Sequence, residues 1–154
     1  MKKITLIIIV INSFILQSQN KKDFLKTYTF EEVEVLHKQN PKPILVYIHT
    51  EWCKFCFGME KNTFKNKKVI QTINKQFYFV KLNAENKKAI TFLNKKFIYK
   101  PTGINTGIHE LANELASKNN RISYPTVTKL NSNFEIEFQK VGYLNSKDFI
   151  QILK

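Results

Sequence analysis

The sequence predicts an α/β fold, a central β-sheet flanked on both faces by helices, and three observations predict it. Ile44-Leu45-Val46-Tyr47-Ile48 and Gln76-Phe77-Tyr78-Phe79-Val80-Lys81-Leu82 are near-continuous apolar runs, as strands buried on both faces require. Stretches compatible with helix separate and flank them, the clearest having Ile108, Leu111, Ala112, Leu115 and Ala116 at i, i+3, i+4, i+7 and i+8. The chain then closes as strand, turn, strand and helix.

The chain has 154 residues, the size of one domain with a sizeable core. Thirteen phenylalanines and six tyrosines make that core aromatic, and four glycines and four prolines are too few for a disordered or collagen-like chain. The net charge of +13 comes from lysines scattered among Asn and Ile. No stretch matches a nucleic-acid-reading motif, so nucleic acid is not expected as a partner. The expectation is a solvated basic surface that favours acidic partners.

Met1-Lys2-Lys3 followed by the apolar run Ile4 to Leu16 has the form of a secretory signal. The run is 13 residues and includes Thr5, Asn12 and Ser13, well short of the roughly 20 apolar residues of a membrane span. Cleavage is expected near Ser18 to Asn20, dividing the chain into a signal peptide (1–19) and one domain (20–154). An uncleaved N-terminal anchor is the alternative.

In chain order, Asn20 to Lys26 is a polar lead-in. Thr29-Phe30-Glu31-Glu32 is a capping box opening a helix through Gln39, with Phe30, Val33 and Leu36 on its apolar face. Asn40-Pro41-Lys42-Pro43 stops it, and His37 suits its last turn. After the strand Ile44 to His49, a helix is expected from Cys53 to Thr63 and a second segment from Asn66 to Asn74. Ile90-Thr91-Phe92 and Phe97-Ile98-Tyr99 flank Asn94-Lys95-Lys96 as a small hairpin, and Lys100-Pro101-Thr102-Gly103 reads as a turn. His109 is read as a solvated residue of the following helix. Ser123 to Leu130 is a strand with Pro125 near its start, Asn131 to Asn133 a turn, and Phe134 to Phe138 a half-exposed strand. Val141-Gly142-Tyr143-Leu144 breaks it before the closing helix Ser146 to Leu153.

The chemistry lies in Thr50-Glu51-Trp52-Cys53-Lys54-Phe55-Cys56, which holds the only two cysteines and the only tryptophan. At helical geometry residues three apart share a face, so the two sulfurs come within disulfide reach. Free N–H groups and the macrodipole at a helix start favour a thiolate. A purely structural bridge is a poor use of such close cysteines. Closing four residues yields only about 2 kcal/mol, against about 3 for a 15-residue loop. Two further readings stand beside redox chemistry. His49 with Cys53 and Cys56 supplies soft and borderline ligands for a copper or zinc carrier, and a binding module without turnover is the other.

These residues resemble the thioredoxin superfamily from Thr29 to the C-terminus, through four pieces in order. The pieces are Ile44-Leu45-Val46 leading to Trp52-Cys53-Lys54-Phe55-Cys56, then Val80-Lys81-Leu82-Asn83, Tyr124-Pro125-Thr126, and Lys140-Val141-Gly142-Tyr143-Leu144. Gly58-Met59 after the motif is similar to exported bacterial thioredoxin-like proteins. The resemblance implies a thioredoxin-like fold with a mixed sheet and an exported, periplasmic thiol:disulfide oxidoreductase. Cys53 and Cys56 would be its catalytic, redox-active pair, with Cys53 the exposed nucleophile. Trp52, Tyr124 and a cis Pro125 would bind substrate. It implies no cofactor and no metal, and as partners protein thiols or disulfides and a redox protein, the chain acting as a monomer.

Three departures qualify the resemblance. The segment from Glu85 to Arg121 is an insertion before the cis-proline strand, placed to shape a substrate groove. The family's buried acid, associated with proton transfer, falls on Tyr47, leaving Glu51 or water to serve. Lys54-Phe55 matches neither the Gly-Pro of strong reductants nor the Pro-His of strong oxidants, so the direction of electron flow stays open.

Overall fold

The computed structural model describes residues 23–153; the stretch read as a signal peptide lies outside the described residues. Thr29 caps the first helix, α1 (Phe30–Gln39), through the expected capping box. Its hydroxyl accepts from the Glu32 amide at 3.1 Å while the Glu32 carboxylate accepts from the Thr29 amide at 2.8 Å. Such a cap contributes about 1 kcal/mol. The chain continues through β1 (Ile44–His49), α2 (Lys54–Lys61), a single 3-10 turn (Thr63–Lys65), α3 (Lys67–Gln76) and β2 (Tyr78–Asn83).

An extended segment follows, made of the hairpin β3 (Ile90–Phe92) and β4 (Lys95–Phe97), the pair β5 (Tyr99–Pro101) and β6 (Gly107–His109), helix α4 (Glu110–Ala116), and the short pair β7 (Ser117–Lys118) and β8 (Arg121–Ile122). This is the insertion. The chain ends with β9 (Thr126–Leu130), β10 (Ile136–Val141) and α5 (Ser146–Ile152).

The central sheet has the order β10-β9-β1-β2, with β1 parallel to β2 and antiparallel to β9. It is therefore mixed, and β1 is interior. Side chains alternate across a strand, so β1 serves two cores. Ile44, Val46 and Ile48 pack with Phe30 and Val33 of α1 and with Leu111 and Leu115 of α4. Leu45 and Tyr47 pack with Met59, Phe64, Val69, Ile73 and Phe149 on the other face. The predominantly apolar β1 follows from this double burial, and the motif follows directly from the end of this interior strand.

Several boundaries differ from expectation. Helix α2 stops at Lys61, two residues early, and the chain tightens into the 3-10 turn before Asn66 caps α3. In the hairpin, Lys95 and Lys96 belong to a strand and the turn is Leu93-Asn94, both at positive φ (52° and 59°). Positive φ at both central positions is the signature of a type I′ two-residue hairpin turn. Ile108 lies in β6 opposite Lys100, so α4 begins only at Glu110 and the helical spacing through Ile108 is coincidental. Phe134 has a positive φ of 65°, and the half-exposed strand runs from Ile136 through Val141. His37 is buried, its ring 4.6 Å from that of Phe134.

His109 is the clearest correction. It is fully buried, where a solvated residue was expected. Its Nδ1 accepts from the Leu111 amide at 3.2 Å, capping α4, and its Nε2 lies 3.2 Å from the Lys88 carbonyl. A ring that satisfies two backbone groups at a strand–helix junction is buried at little cost.

Candidate active site

Strand β1 delivers the chain to a tight turn in which the Cys53 amide donates to the Thr50 carbonyl at 3.3 Å. Cys53 is the N-cap of α2, its backbone extended and its Sγ accepting from the Cys56 amide at 3.1 Å. The cap position places a sulfur where Ser, Asp or Asn usually sits. Cys53 and Cys56 form a disulfide with their Cα atoms 5.2 Å apart. Both residues are buried in this oxidised form, Cys53 at 6% exposure and Cys56 at 2%. Cys53 is the more accessible of the two, although less exposed than its expected role suggested.

The peptide between Tyr124 and Pro125 is cis, immediately before β9. In the β1–β9 register Ile48 faces Thr126, so Pro125 lies at the end of β1 that leads into the motif. Its carbonyl accepts from the amide of Gly142, which has a φ of 99° that favours glycine. The Tyr124 ring meets Trp52 edge-on at 5.9 Å. Burial, with help from the Glu85 carboxylate, pushes the Tyr124 hydroxyl up to about 12.

Trp52 is 66% exposed, on the rim beside the disulfide and not in the core. Its indole N–H donates to Glu85 at 3.0 Å. The side chain of Asn83 orders both flanks, accepting from the Glu85 amide and donating to Glu51 at 3.1 Å. Sequence reasoning missed Glu85 and Asn83, since nothing in the chain's pattern reports a loop reaching back 33 residues.

Beneath the disulfide, Tyr47 is fully buried and its hydroxyl donates to the Cys56 carbonyl at 2.9 Å. Burial, then Glu60, drives that hydroxyl far above the ordinary tyrosine range, so it remains a donor. A cavity of about 240 Å³ beside it is lined by both cysteines, His49, Thr50, Glu60 and Lys81. Glu60 and Lys81 form a half-exposed ion pair at 2.6 Å. The imidazole of His49 is held below its usual value by burial first and Lys81 second, opposed by Glu60 and Glu51. Thr50 is 2% exposed and its hydroxyl has no partner among the described residues.

Two carboxylates, Glu51 and Glu60, line the disulfide cavity, and Glu51 is tied to Asn83. Glu60 was legible in principle, because it sits four residues after Cys56 on the same helix face. His49 lines the same cavity as Cys53 and Cys56, whose sulfurs are joined to each other in this oxidised form. Among the described residues no group of three His, Cys, Asp or Glu side chains is placed to hold an ion.

An interior strand feeding a Cys-x-x-Cys disulfide at a helix start, beside a cis-proline on the neighbouring strand, defines the class as a thioredoxin-fold thiol:disulfide oxidoreductase. The chain belongs to the thioredoxin-like domain family, whose model matches residues 29–154. Among solved structures it is similar to a thioredoxin from Thermus thermophilus, at 19% identity over 84% of each chain with a TM-score of 0.58. It is also similar to a DsbH oxidoreductase, at 14% identity over 91% of this chain and 90% of that one, TM-score 0.61. A third is a disulphide isomerase from Xylella fastidiosa Temecula1, at 18% identity over 80% of this chain and 84% of that one, TM-score 0.54. At these identities the likeness speaks for the fold. No curated protein matches it in sequence.

Proposed function

We propose that this protein is an exported enzyme that exchanges disulfides with other proteins through Cys53 and Cys56, acting as a monomer. The observation that carries the reading is the Cys53 sulfur at the N-cap of α2, within 3.1 Å of the Cys56 amide. That N–H and the helix start stabilise negative charge on the sulfur, which makes Cys53 the nucleophile. Its thiolate attacks one sulfur of a substrate disulfide, forms a mixed disulfide, and expels the other sulfur as a thiolate. Cys56 then loses its proton and attacks the Cys53 sulfur, closing the bond between the two cysteines and releasing the substrate thiolate. Run in reverse, the same steps oxidise a dithiol. Direction is set by the reduction potential relative to the partner.

In this reading Tyr47 holds the Cys56 backbone, and Glu60 accepts the Cys56 proton across the shared cavity. Trp52, Tyr124 and Pro125 border the face where the substrate backbone lies. Export rests on the basic and apolar start of the chain.

A Cys56→Ser chain expressed in a bacterial host tests the chemistry. It should accumulate proteins joined to Cys53 through mixed disulfides that dithiothreitol releases, and Cys53→Ser should accumulate none. Absence of adducts under acid-quenched, alkylated conditions would refute the reading. N-terminal sequencing of the exported chain should begin near Asn20; a chain retained in the cytoplasm with Met1 intact would refute export.

A further inference from the structure

A groove of about 510 Å³ is bordered by Phe57, the residue after Cys56. Leu25 and Phe64 contribute apolar surface, and Phe57, 67% exposed, forms one wall. The groove shares Phe57, Glu60 and Lys81 with the cavity that reaches both cysteines, so the two adjoin along these side chains.

Its lining carries three lysines, Lys61, Lys65 and Lys81, and one carboxylate. From Cys53 to Ala84 the chain carries seven lysines and a single carboxylate, Glu60. Glu60 is already paired with Lys81. Lys61 and Lys65, both exposed at the groove, have no ion-pair partner among the described residues, and the Lys61 ammonium lies 6.0 Å over the Phe57 ring. An apolar floor ringed by unpaired cations suits an anionic chain with an apolar anchor.

We propose that this groove docks an acidic, apolar-anchored segment of the polypeptide whose disulfide the protein exchanges, so that charge selects substrates at Cys53. The inference rests on the exchange chemistry proposed above. An apolar side chain seats between Phe57 and Phe64, and flanking carboxylates meet Lys61 and Lys65.

The test uses the Cys56→Ser chain and two synthetic peptides, identical in their apolar residues and differing in glutamates or lysines. Each peptide's cysteine is activated as a mixed disulfide with thionitrobenzoate. Attack by the Cys53 thiolate on the peptide sulfur joins the chains and expels coloured thionitrobenzoate. At low salt the acidic peptide should react on the order of tenfold faster than the basic one, the advantage fading as salt screens it. Adding Lys61→Glu and Lys65→Glu should abolish the preference. Lys38→Glu with Lys96→Glu, equal in charge but on the other face, should preserve it.

Equal rates for the two peptides, or equal losses from both double variants, would overturn the groove in favour of no selection or of net charge alone. A chain that sediments as a dimer, and as a monomer only with Lys61→Glu and Lys65→Glu, would assign the groove to a second copy instead. The uncharged disulfide dithiodipyridine separates the two levels. If it too fails to react with Cys53, the exchange chemistry itself falls; if it reacts equally with every variant, any change seen with peptides belongs to docking.

Discussion

The Tyr47 hydroxyl donates a 2.9 Å hydrogen bond to the Cys56 carbonyl from directly beneath the active-site helix. A tyrosine thus fills the place where the family carries a buried acid. It cannot take a proton there, because burial and Glu60 hold its own firmly. What it supplies is a fixed tie between the central strand and the second cysteine.

Removing that tie should cost stability more than chemistry. Tyr47→Phe leaves a buried carbonyl short of one donor and should lower stability by about 1 kcal/mol. For a domain of this size the melting temperature should fall by roughly 4 °C. Thermal unfolding of the oxidised protein checks it, and an unchanged melting point would deny the hydrogen bond any role.

Glu60→Gln should slow the second step of exchange and leave the first intact. A positioned proton acceptor contributes roughly 10²-fold, and solvent replaces part of it, so resolution of a preformed mixed disulfide should slow on the order of tenfold. The slope of that step against pH should change with it. Rapid-quench measurement separates the steps; equal slowing of both would point to a structural effect of the Glu60–Lys81 pair.

Glu85→Gln should remove the charge beside Tyr124 and weaken the bond from the Trp52 indole N–H, which the amide oxygen can still accept. The negative charge of Glu85 raises the Tyr124 hydroxyl, so neutralising it should bring that group down from about 12. Burial is the larger cause, and it should remain above the ordinary value of 10.0. Ultraviolet titration of the phenol reads the shift, and the Trp52 emission should change in the same variant. No movement in either would show that the loop holding Glu85 does not couple to the site.

Acid should loosen the insertion before the sheet. The Ile98 amide and Lys100 hold the Glu110 carboxyl below its ordinary value of 4.5. A depressed acid stabilises the fold above its unfolded value, and that contribution disappears as pH falls through the folded one. Hydrogen exchange at the Ile98 amide should accelerate below about pH 4.5, and Glu110→Gln should show the faster exchange already at neutral pH.

His49 and His109 add to acid sensitivity at higher pH. Both are held below 6.5 chiefly by burial. Below that pH the unfolded chain binds protons that the folded one refuses, so stability should decline from about pH 6.5 downward. Proton-resonance titration of the two rings should place both midpoints under 6.5; a midpoint above it for His49 would mean that Glu60 and Glu51 outweigh burial.

Much of this was legible in local pattern. The apolar run of β1 announced a strand buried on both faces, Thr29 with Glu32 announced a helix start, and Cys53 with Cys56 announced a disulfide across one helical turn. Each is a short-range consequence of backbone geometry. The misreadings came where a long-range partner overrode local spacing. Ile108 kept helical rhythm with Leu111 yet pairs with Lys100 in a strand, and His109 looked solvated yet serves two backbone groups in the interior.

Sequence alone determined the class of chemistry and the sheet that carries it, because the motif and each apolar strand are contained in neighbouring residues and the four matching pieces are read from their order along the chain. Only the tertiary structure decided what surrounds the disulfide. Glu85 reaches Trp52 from beyond β2, Glu60 and Lys81 meet across two elements beside Cys56, and Leu25 and Phe57 wall a basic groove. Those relationships join residues 21 to 33 positions apart and depend on how strands and helices stack. The stacking is set by burial of the two cores on either face of β1, which no local periodicity encodes.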